Sequence, residues 1–196
     1  MNTDRRTAMI VGVLFIAALV PFLIGQALYE PILGSPDYLD HAYPNRAIVT
    51  IGVLLEFVSA LAVVLIPVLL FPILRVHSLV LALGYVSFRL FETVLLTIAQ
   101  VYKLSLVTLS QDYLNRGGLD ASYFQIVGHS MQSVIYWVDH AGAIYLVVFV
   151  IGALMLNSAL YRSRLVPRWL SIWGIIAAVA VLVASTLATF DIALLL

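Results

Sequence analysis

The chain has 196 residues, 63% of them hydrophobic and 10% charged, with a formal net charge of zero. A soluble domain carries about 25% charged residues, so this balance, with a mean hydropathy of +1.09, places the chain in lipid. Neutral charge with no basic tail or acidic tract gives no sign of nucleic acid as a partner. The absence of cysteine excludes disulfides, thiolate catalysis, zinc–thiolate sites and iron–sulfur clusters.

The first apolar run, about Ala8 to Leu28, follows Arg5 and Arg6. It exceeds the apolar stretch of a signal peptide, about 7–15 residues, and reads as a retained first span with a kink at Pro21. A connection from Tyr29 to Arg46 contains Pro31, Pro36 and Pro44. Its length suits a lid or a short helix. Asn45 is placed to cap span two, about Ala47 to Phe71, which Pro72 ends or bends.

Ser78 can cap span three, apolar from Leu79 to Leu109. At about 31 residues, or roughly 46 Å as a helix, it outruns a hydrocarbon core of about 30 Å and must tilt or project. Asn115-Arg116-Gly117-Gly118 is a stop signal. Asp120 or Ser122 then opens one long helix to about Tyr161, whose membrane-crossing part is about 134–160. A separate interfacial helix before a shorter span is the alternative. Arg162 to Arg168 is a basic turn, and Pro167 suits the start of span five, about Trp169 to Phe190.

Placing the N-terminus in the cytoplasm puts Arg5, Arg6, Arg75, Arg162, Arg164 and Arg168 inside, and only Arg46 and Arg116 in outer loops. The expected fold is all-α: a single transmembrane domain over residues 1–196, a bundle of five transmembrane helices, N-in/C-out. Spans three and four form a long hairpin projecting outward.

Charge at membrane depth costs roughly 2.5–3.5 kcal/mol per residue on insertion scales. Arg89 and Glu92, one turn apart in span three, therefore mark a site. Tyr85, Arg89, Glu92, Ala99 and Lys103 fall on one helical stripe, and Glu56 lies mid-way along antiparallel span two. The expected network has Glu56 and Glu92 sharing the Arg89 guanidinium. One negative charge is left over, to be balanced by a proton, Lys103 or a histidine. Span four carries a second stripe of His129, Gln132, Tyr136, Asp139 and His140. No nucleophile elbow or zinc-helix motif is present.

Several phrases carry a family likeness: Gly12 to Ala17, Leu70 to Leu74, Leu81 to Glu92 with its R-x-x-E, Leu104 to Tyr113, Asp120 to Phe124, and Leu165 to Gly174 with its P-R-W-L. Together they resemble the bacterial multi-pass membrane family catalogued as domain of unknown function 4386. The resemblance spans nearly the whole chain. It implies a small integral protein of the bacterial inner membrane and supplies no catalytic residues.

The functional expectation is a binding or transport protein, proton-linked or taking a small molecule. Its outward-facing cavity would be lined by Glu56, Arg89, Glu92, Tyr85, Tyr136, Asp139 and His140. Its partners would be the lipid bilayer, a small-molecule or lipid-like ligand, and further copies of the chain. No cofactor or metal is assigned. The alternatives are an intramembrane enzyme or redox protein on a lipid-like substrate, with Asp139 and His140 as acid and base, and a structural or regulatory subunit whose buried charges only fix helix register. Haem on His129 or His140, or a metal recruiting His41, Asp40 or Glu92, belongs to the enzyme reading.

Overall fold

A computed structural model describes residues 3–117, 120–139 and 143–189. The described residues form seven helices and no strand: α1 (Thr3–Leu33), α2 (Tyr38–His41), α3 (Arg46–Leu74), α4 (Leu79–Asn115), α5 (Ala121–Val138), α6 (Ala143–Ser163) and α7 (Arg168–Thr189). Five of them, α1, α3, α4, α6 and α7, are long and apolar enough to cross a membrane. Their outward faces carry large apolar side chains such as Val13, Ile16, Leu54, Val80 and Trp173. Such a surface suits hydrocarbon, and helices satisfy their own backbone polar groups there.

The ends follow local chemistry. The Ser78 hydroxyl caps α4 by accepting from the Leu81 amide at 3.4 Å. Asn45 stands at the N-terminus of α3, but its side chain donates back to the His41 carbonyl instead of capping. Gly117, at φ +61°, ends α4 in the left-handed conformation that suits glycine.

Three boundaries differ from expectation. The first helix runs through Pro31 to Leu33, because prolines in apolar helices are accommodated by neighbouring elements. Pro67 and Pro72 likewise lie inside α3, which runs to Leu74, whereas α4 ends at Asn115, at the expected stop, with a length of about 55 Å. The one long helix from Ser122 to Tyr161 does not form. Instead α5 stops at Val138, and Asp139 takes an extended conformation (φ −93°, ψ 177°). No proline falls between the two helices, and Gly142 is a weak signal inside an apolar run, so periodicity carried the reading across it.

α4 is the central rod, packed against α3, α6, α5 and α2. It runs antiparallel to α5 and α6 in sequence: Tyr113 stacks edge-on with Phe124, Lys103 meets Asp139, Glu92 meets Tyr145, and Gly84 receives the Met155 side chain. α1 and α3 approach backbone to backbone at Gly25 and Gly52, where an added Cβ on either glycine would come within 2.7 Å of the other's carbonyl oxygen. One core cluster, around Tyr29, Tyr38, Val53, Leu106 and Phe124, lies at the end where α2 and α5 pack on α4. Another, of Leu74, Ala82, Tyr85 and Ala159, lies at the opposite end. A separate buried charge cluster sits close to each.

Candidate functional site

The first charge cluster centres on Lys103 of α4, whose side chain is 2% exposed. Its ammonium donates to Glu56 Oε2 of α3 at 2.8 Å and to the Tyr29 hydroxyl of α1 at 2.7 Å. It reaches Asp139 Oδ2, just past α5, at 2.7 Å. An ammonium has three donors, and each finds an oxygen here. The Tyr29 hydroxyl donates in turn to Glu56 Oε1 at 2.6 Å, and the Tyr29 ring lies 4.2 Å from Lys103 Nζ. Four helices are thereby tied to one cation.

The second cluster centres on Glu92, 1% exposed. Its two oxygens accept from Arg89 Nη1 at 2.7 Å and from the Tyr145 hydroxyl of α6 at 3.0 Å. The Arg89 guanidinium carbon lies 5.0 Å from the Phe149 ring centre and 5.5 Å from that of Tyr85. Arg89 Nε is buried without a hydrogen-bond partner.

The expected network is therefore divided. Glu56 does not share the Arg89 guanidinium; Lys103 supplies its cation. The direction of helical side chains explains this. They lean toward the N-terminus of their own helix. In the antiparallel pair, Glu56 leans toward the C-terminal part of α4, Lys103 leans back toward Glu56, and Arg89 leans away. Axial depth alone did not contain that information.

A cavity of about 400 Å³ adjoins the Lys103 cluster, between α1, α4 and α5. Lys103, Tyr29, Asp139, Glu30, Gln132 and Tyr136 supply its polar lining, and Leu33, Leu106 and Ile135 its apolar walls. Gln132 is held by donating to the Leu33 carbonyl at 3.2 Å. So the span-four stripe converges in part: Gln132, Tyr136 and Asp139 meet one cavity, whereas His129 is exposed and outside it. His140 lies outside the described residues. Arg89, Glu92 and Tyr85 line a different cavity. Among the described residues, no three histidine or acidic side chains converge to hold a metal ion.

Sequence reading singled out Lys103 only as a counter-charge and missed Tyr29 and Tyr145 as hydroxyl donors. Lys103 stood on the stripe with Arg89 and Glu92. Tyr29 was hidden by Pro31, which read as the end of the first helix.

Near the Lys103 cluster, burial among Phe124, Gly128 and their neighbours pushes the Tyr38 phenol above its ordinary pKa. That hydroxyl stays protonated. It is packing, with no ion pair.

Five membrane-length helices around two buried charge clusters define the class as a multi-pass, membrane-type helical protein. The chain belongs to the family described as Domain of unknown function (DUF4386), whose model matches residues 10–195. No curated protein and no solved structure matches it.

Proposed function

We propose that this protein binds a small cationic solute in the cavity beside Lys103 and carries it across the bacterial inner membrane. The observation that supports this is the double engagement of Lys103 by Glu56 and Asp139 at the wall of that cavity. Two carboxylates around one ammonium leave one excess negative charge when all three are ionised. A guest cation or a proton neutralises it. Asp139 lines the cavity and is 16% exposed. When it turns to a guest, Lys103 keeps Glu56 and Tyr29, so no buried charge is stranded. Glu30 at the same wall adds to the preference for positive charge. An amine-bearing guest fits this exchange; a carboxylate does not.

Orientation by positive charge puts this cavity on the outer side and the Arg162–Arg168 turn in the cytoplasm. The chain lacks cysteine, so single cysteines at Ser35 and at Ser163 read the two sides with a membrane-impermeant thiol reagent. Labelling of position 163 and not 35 in intact cells overturns the orientation.

The binding test is calorimetric titration of the detergent-solubilised protein with butylammonium, butanol and butyrate. Butylammonium is expected to bind at least about tenfold tighter than either analogue, a difference of about 1.4 kcal/mol. Proteoliposomes should then take up a permanently charged small ammonium ion. Tightest binding of butyrate, or equal binding of all three, rejects the reading.

A further inference from the structure

The Arg89 cluster borders a second cavity, of about 430 Å³, between α1, α3, α4 and α6. Its rim differs in kind from the first. Phe15 and Leu19 of α1 line it and are 47% and 56% exposed on the lipid-facing surface. Phe22, Val63, Ile66 and Phe149 make its remaining apolar walls. It is a crevice opening sideways, where hydrocarbon lies against the bundle.

The polar groups in it restrict the guest. Arg89 and Glu92 are paired at 2.7 Å, so their charges cancel. A charged guest would leave an unbalanced charge at membrane depth. Both Glu92 oxygens already accept hydrogen bonds, from Arg89 and Tyr145. The free capacity is a donor: Arg89 lines the crevice, and its buried Nε–H has no partner. A buried unmade hydrogen bond is costly, and a neutral oxygen acceptor completes it. Tyr85 and Phe149 flank the guanidinium with aromatic faces.

We infer that this crevice is a second binding site, loaded from the bilayer, for a neutral lipid-soluble molecule whose carbonyl oxygen accepts from Arg89. An ester of a diacyl lipid and the head of a lipid quinone share that chemistry. The site is separate from the solute cavity and stands or falls without it.

Thermal unfolding in detergent tests it, with decylbenzoquinone, didecanoyl phosphatidylcholine and decane as probes. One or both carbonyl probes should raise the unfolding midpoint by about 2 °C or more, and decane should not. A response to the quinone alone assigns a quinone head, and a response to the phospholipid alone assigns an ester. Val63→Trp fills the crevice and should abolish the response. Should that variant not fold, Arg89→Lys decides, because it keeps a cation for Glu92 but removes Nε–H, and it too should lose the response. Stabilisation by decane equal to that of the probes, no response to either probe, or a full response in Arg89→Lys overturns the inference.

Discussion

Lys103 and Asp139 meet at 2.7 Å where α5 ends. The Asp139 amide still bonds to the Ile135 carbonyl, closing the last turn, while its ψ of 177° takes the chain out of the helix. The break and the ion pair thus occur at one residue. The carboxylate is joined on one side to a fully buried cation and on the other to a cavity.

Asp139→Asn separates binding from folding. Lys103 keeps Glu56 and Tyr29 as partners, so its buried charge stays paired. The stability cost should be about 1.5–3 kcal/mol, that of one hydrogen bond to a charged group. The preference for butylammonium over butanol should fall by about tenfold, or 1.4 kcal/mol. Unaltered discrimination in titration removes Asp139 from the site.

The two charge clusters should be energetically independent. Arg89 and Lys103 are separated by about 21 Å along α4 at 1.5 Å per residue. In double-mutant cycles, Glu56→Gln combined with Arg89→Met should be additive to within about 0.5 kcal/mol, whereas Glu56→Gln combined with Lys103→Met should show coupling of about 1–3 kcal/mol. Strong coupling of Glu56 to Arg89 would restore the single shared guanidinium that helix depth suggested.

Close approach of α1 to α3 positions Tyr29. A Cβ on Gly25 would sit 2.5 Å from the Gly52 carbonyl oxygen, and backbone cannot yield as a side chain can. Gly25→Ala should cost about 1–3 kcal/mol by overpacking. It should also weaken amine binding, because Tyr29, one turn on, is pushed from Glu56. Gly12→Ala, with nothing near the new Cβ, is the control and should be neutral. Equal unfolding midpoints for the two variants would contradict the packing.

The five membrane-length helices were legible because apolar run length alone marks them, and the Ser78 cap and the Gly117 stop sit where local chemistry puts them. Glu56, Glu92 and Lys103 are buried within those runs. Their pairing was not legible. Glu56 choosing Lys103 over Arg89 depends on which way side chains lean along antiparallel rods. The stripe of Gln132, Tyr136 and Asp139 was visible as a pattern, but its cavity is completed by Tyr29, Glu30 and Leu33. Those residues had been given to a loop on account of Pro31.

Reversible unfolding of charge-deleted variants in mixed micelles probes the Lys103 cluster most directly. Lys103→Met strands two acids and should lower stability by about 3–5 kcal/mol. Adding Glu56→Gln and Asp139→Asn to it removes those stranded charges, and the triple variant should recover most of the loss. A triple variant less stable than Lys103→Met alone would mean that Glu56 and Asp139 are not the partners holding that ammonium.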